Sequence, residues 1–164
     1  MQEVIEKLGG ATVEWVDTPI AETSQRMPQL TTSLLQKHGA KWTHSLAIND
    51  LYSDFMGPSL AAAGIKGEGQ APVNVSAGDG SESAYQRIRS GQFQAATVAE
   101  PLNLQGWQLV DELNRAVSGE KWSGYVSPLH VVTKANVEFD GGPKNTFDPG
   151  NGYQDAYKKI WGKA

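Results

Sequence analysis

The 164 residues suffice for one domain with its own core, and 39% hydrophobic with 20% charged residues is the balance of a globular chain. A net charge of −4, with no block of Lys or Arg, speaks against a nucleic-acid or membrane-surface binder. The lack of cysteine removes thiolate metal sites, thiol nucleophiles and disulfides, and no apolar run reaches the ~20 residues of a membrane span.

Along the chain, Val4, Ile5 and Leu8 fall at helical spacing, and Gly9-Gly10 closes that helix. Ala11–Val16 alternates around Val13 and Trp15 and predicts a strand. Residues 22–38 predict a helix with Met27, Leu30, Leu34 and Leu35 on its apolar face and Pro28 near its first turns. Residues 45–48 predict a short buried strand, and residues 51–63 a helix closed by Gly64. After a Gly-rich loop, the spacing predicts a strand at 73–77, a helix at 82–90 closed by Gly91, and a strand at 93–99. Leu104, Trp107, Val110, Leu113 and Val117 mark one face of a helix over 103–117. A last strand at 129–133, a Gly/Pro/Asn-rich stretch and a short helix at 153–161 complete the chain.

Alternating strands and helices with short connections predict an α/β fold, a doubly wound parallel sheet with helices on both faces. Ligands bind such sheets at the carboxyl ends of the strands. Three strands end there in polar residues: Asn49-Asp50, Gly78-Asp79-Gly80 and Glu100-Pro101. An amide and carboxylates suit the paired donors and acceptors of sugar hydroxyls. Each also has a local reading. Asp50 is favoured as the N-cap of the following helix, while Asn49 and Asp79 are equally suited to stabilising turns. Glu100, at the end of a buried strand, requires a partner, either an internal Arg or a ligand.

The strings Ala47-Ile48-Asn49-Asp50, Gly78-Asp79-Gly80 and Ala96-Thr97-Val98-Ala99-Glu100 resemble, in order and spacing, the C-terminal lobe of ribose-binding-protein-like solute receptors. These are the type I periplasmic sugar-binding proteins of ABC importers, and the resemblance runs over about residues 1–137. It implies a solute-binding protein without catalysis or cofactor, whose Asn49 and Asp79 bind sugar hydroxyls. The Glu100 position is typically an amide in that family; an acid there points to another pentose, a hexose or a polyol. Residues 1–101 and 128–164 would form the C-terminal lobe, and 102–127 would pack on an N-terminal lobe. The resemblance further implies a lobe that lacks its central strand and has an open edge, together with an Arg contact and a signal peptide upstream of Met1. Expected partners are a small sugar or polyol, the membrane permease and the missing lobe, in the periplasm. The alternative on the same fold is the effector domain of a LacI-type repressor.

Other features point elsewhere. His38, His44 and His130 follow no ligand spacing, and Trp15 and Trp107 fall in core patterns. Tyr52, just after Asn49-Asp50, is the aromatic best placed to stack on a sugar. Residues 140–155 lack the ligand spacing of a calcium loop, and Gly78-Asp79-Gly80 lacks the Lys-Ser/Thr of a phosphate loop. An enzyme using Asp79 and Glu100 as acid and base would need supporting His, Ser or metal groups, which the pattern does not supply.

Overall fold

His44–Ala47 (β1), expected as a buried strand, lies at the sheet edge with no residue buried, whereas Val73–Ser76 (β2) and Gln94–Ala99 (β3) bury residues on one face, as strands covered on one side do. They form a four-stranded sheet in order β1-β2-β3-β4 in the computed structural model, which describes residues 2–9, 11, 13–67 and 69–162. β1 and β2 run parallel with Leu46 opposite Val75, and β2 and β3 run parallel with Ser76 opposite Thr97. The fourth strand, His130–Thr133 (β4), is antiparallel to β3, with His130 opposite Ala99. The sheet is therefore parallel-dominated with one antiparallel edge. Residues 118–129 bring the chain back to the edge where β3 ended, whereas a parallel partner would need a crossover to the opposite end.

Leu51–Ala62 (α3) connects β1 to β2, and Glu82–Ser90 (α4) connects β2 to β3. Successive right-handed crossovers in one direction place both helices on the same face. Burial agrees: Ser76, Thr97 and Val132 on that face are 0% exposed, whereas Leu46 and Val131 on the other are 47% and 56% exposed. The second face stays open among the described residues.

Thr23–His38 (α2) packs on α3 through Met27, Met56 and Leu60. Pro28 lies in its second turn, within the early turns expected for it. A second core joins α4 to the sheet through Tyr85, Ile88, Ala99, Val132 and Val137. Helix α4 is closed by Gly91 in the left-handed conformation, as expected, and is capped at its start by Ser81, whose Oγ accepts from Ala84 N–H at 3.2 Å.

Near the amino end the expected helix forms as Gln2–Leu8 (α1), with no residue buried, and Gly10 lies outside the described residues. No strand forms over 13–16, and Thr12 lies outside the described residues. Alternation there finds no neighbouring strand; instead Glu14 pairs with Lys37 at 2.8 Å and with His38 at the end of α2. Trp15 is 69% exposed and is not a core residue.

Leu102–Val117 (α5) packs against Tyr153–Ile160 (α6). The Trp107 and Trp161 rings stack at 5.4 Å, and Trp161 Nε1 donates to Asp111 at 2.9 Å. That N–H, helped by Arg115, holds the Asp111 carboxyl below its ordinary range. Trp107 is thus a packing residue. The rest of the predicted apolar face, Val110, Leu113 and Val117, remains exposed, as does Leu109 beside it.

Candidate functional site

The carboxyl ends of β1, β2 and β3 lie side by side because the strands are parallel and in register. Each carries its polar residue one to three positions past its last paired residue, so Asn49, Asp79 and Glu100 converge on one edge. Asn49 Nδ2 donates to Asp79 Oδ1 at 2.9 Å. The Glu100 N–H donates to the Asp79 backbone oxygen at 3.0 Å, which joins the second and third strand ends.

Helix starts orient two of these side chains. Asn49 Oδ1 accepts from Leu51 N–H at 2.8 Å and so covers an open donor at the start of α3. This leaves the Asn49 amide nitrogen pointing at Asp79. Glu100 Oε2 accepts from Gln105 Nε2 at 3.0 Å. Its protein partner is therefore an amide on the first turn of α5, not the internal Arg weighed from the sequence. After these bonds, the edge presents an amide N–H from Asn49 and one carboxylate oxygen each from Asp79 and Glu100. That set is rich in acceptors and suits a ligand with several hydroxyl donors.

The turn that carries Asp79 has little room to move. Gly80 has φ +78, and a Cβ there would lie 2.5 Å from Ala99 Cβ. Only glycine fits that conformation and that approach to β3. Asp50, itself buried just before α3, is not the side-chain N-cap of that helix, because no cap bond forms from it. Its carboxylate turns inward and accepts from Gly80 N–H at 2.8 Å and Ser81 N–H at 3.0 Å. Gln94 and Thr97 of β3 donate to the same carboxylate. Sequence reading missed these partners, as it missed Gln105.

Tyr52 is not brought to this edge. Its hydroxyl donates to the Thr18 carbonyl at 2.6 Å, and its ring packs on the Met27–Met56–Leu60 cluster. His130, opposite Ala99, stacks on Phe147 at 4.6 Å with Nε2 lying 2.7 Å from Asp140 Oδ2. Among the described residues, no group of three or more His, Asp or Glu side chains is suited to a metal ion, and no helix is long and apolar enough to cross a membrane.

The fold is that of one lobe of the ABC solute-binding proteins, and solved structures of that class match it. One is an Agrobacterium vitis ABC transporter solute-binding protein with bound D-fucose, at TM-score 0.63 and 23% identity over 80% of this chain and 44% of that one. A Mycobacterium smegmatis solute-binding protein with bound glycerol matches at TM-score 0.62 and 20% identity, over 77% of this chain and 42% of that one. A sugar ABC transport substrate-binding protein from Bordetella parapertussis matches at TM-score 0.63 and 15% identity, over 92% of this chain and 48% of that one. The chain thus spans less than half the length of these structures, all of which are binding proteins. No protein-family model and no curated protein matches the chain.

Proposed function

We propose that the chain is the sugar- or polyol-binding part of an ABC importer's solute receptor, with Asn49, Asp79 and Glu100 as ligand contacts. The observation that carries this reading is the convergence of the three residues on one strand-end edge of this fold, with Asn49 bonded to Asp79 at 2.9 Å and an unshared oxygen on each carboxylate. The D-fucose and glycerol bound by structures of the same fold support a polyhydroxylated ligand.

In this reading the chain is one wall of the site, within a longer periplasmic protein whose second lobe closes over the ligand and whose surface meets a permease. The exposed Leu109, Leu113 and Val117 of α5, at 71%, 63% and 81%, support the reading of residues 102–127 as the segment that packs on that second lobe. The length of the solved structures, more than twice the matched share, supports the same division.

Titration of the nitrogen-15-labelled chain with D-ribose, D-galactose, D-fucose, allitol and glycerol tests the site. Amide spectra register binding even at the weak affinities expected of an open half-site. Shifts confined to residues around Asn49, Asp79 and Glu100 are expected. No shift with any of the five, or shifts elsewhere only, removes the assignment.

A further inference from the structure

A buried carboxylate is costly unless its oxygens are fully bonded. Asp50 is 1% exposed, and among the described residues no Lys or Arg side chain pairs with its carboxylate. Its charge is instead met by four donors. Gly80 N–H, Ser81 N–H and Thr97 Oγ1 reach Oδ2 at 2.8, 3.0 and 3.1 Å, and Gln94 Nε2 reaches Oδ1 at 2.7 Å.

The origin of these donors matters. Gln94 and Thr97 are buried residues of β3, so the inner side of the carboxylate is fixed by the sheet. Gly80 and Ser81 belong to the turn after β2, and Ser81 also caps α4. Asp50 therefore clamps the turn to the sheet interior. Asp79 is the residue immediately before the clamped pair, and the close approach of Gly80 to Ala99 leaves the turn no slack.

We propose that Asp50 is the positioning residue of this edge, setting the direction of the Asp79 carboxylate without touching ligand itself. The proposal rests on the sugar-site reading above. A carboxylate beside the start of α4 also interacts favourably with the helix dipole.

The test uses Asp50→Asn in the nitrogen-15-labelled chain. Asparagine keeps one acceptor oxygen and turns an N–H2 group towards donors, so part of the clamp is lost. The Gly80 and Ser81 amide protons are expected to move upfield, and the Asn49 side-chain amide to lose the shift produced by its bond to Asp79. The Kd for whichever of the five polyols binds should rise about tenfold. In an Asp79→Ala background, Asp50→Asn should change Kd less than about twofold, because its effect passes through Asp79. Unchanged Gly80 and Ser81 signals, or a full additional loss in the double variant, would overturn the proposal.

Thr97→Val, close in shape and lacking one of the four donors, gives the same reading if Asp50→Asn does not fold. It should shift the same two amides and raise Kd about threefold. If none of the five polyols binds, the sugar reading fails by itself. The Asn49 side-chain amide then decides the clamp: its loss in Asp50→Asn sustains the positioning role, and its persistence removes it.

Discussion

Asn49 and Asp79, separated by 30 positions in the chain, share a hydrogen bond of 2.9 Å from Nδ2 to Oδ1 across the ends of β1 and β2. Asn49 spends its oxygen on the start of α3, so its nitrogen can serve only Asp79 and whatever lies beyond. The bond holds the direction of the carboxylate and leaves its second oxygen open. Glu100, bonded to Gln105, presents a second acceptor on the same edge.

Asn49→Ala removes both bonds at once. Loss of the oxygen uncovers the Leu51 N–H at the start of α3, and a drop of about 1 kcal/mol in unfolding free energy is expected. Loss of the nitrogen frees the Asp79 carboxylate to reorient, and Kd for a bound polyol should rise about tenfold or more. Asn49→Asp separates the two effects. It restores the acceptor for Leu51 but sets a like charge beside Asp79, so it should recover the helix start and bind no better than alanine. Urea unfolding reads the first effect and amide titration the second. Equal polyol affinity in Asn49→Asp and the parent chain would rule out the Asn49–Asp79 bond as a site element.

A second expectation concerns alkaline pH. The Tyr85 hydroxyl, buried between α4 and the sheet, is pushed up to about 12, chiefly by burial and then by the negative charges of Asp140 and Asp50. An unfolded tyrosine titrates near ~10. Between these values the folded chain holds a proton that the unfolded chain releases. The stabilisation is therefore complete below about pH 10 and is lost as pH rises towards about 12. Tyr85→Phe has no proton to lose there, so its stability should fall less steeply over that window. It also gives up the 2.9 Å bond to the Asp140 carbonyl, at a cost of about 1 kcal/mol near neutrality. Burial raises Tyr153 and Tyr157 as well, so some slope should remain in the variant. Urea midpoints measured from about pH 9 to 12 compare the two; parallel curves would exclude Tyr85 as the source.

The strand-end residues were legible because a parallel sheet turns sequence order into a spatial edge, and short strand runs alternating with helices stood before Asn49, Asp79 and Glu100. Asp50 was not legible as a clamp. An Asp one residue before a helix looks like a cap whatever it bonds, and its actual donors lie 30 to 47 positions away. Tyr52 misled for a related reason. Three positions after Asn49 the chain is already helical, and the ring turns to the α2 side, where Thr18 accepts its hydroxyl. Residues 11–16 alternate as a strand should, but pairing needs a neighbour, and Glu14 draws that segment to α2 instead. The direction of β4 was equally out of reach, since alternation is the same for parallel and antiparallel strands.

The open sheet face carries the last expectation. Leu46, Ile48 and Val131 are 47%, 59% and 56% exposed, and β1 has a single strand neighbour among the described residues. Sheets of mostly parallel strands ordinarily have both faces covered, and an uncovered apolar face beside an unpaired edge is a template for association. The chain alone is expected to self-associate as its concentration rises. Leu46→Lys with Val131→Lys sets two charges on that face, and burying either in a contact is costly. The double variant should raise the dissociation constant of the self-association about tenfold. Both side chains are already exposed, so its unfolding free energy should stay within about 1 kcal/mol of the parent. Sedimentation velocity over a hundredfold concentration range distinguishes the outcomes. A parent chain that stays monomeric throughout would mean that the open face does not drive association, whereas loss of association in the lysine variant locates the contact on the face of Leu46 and Val131.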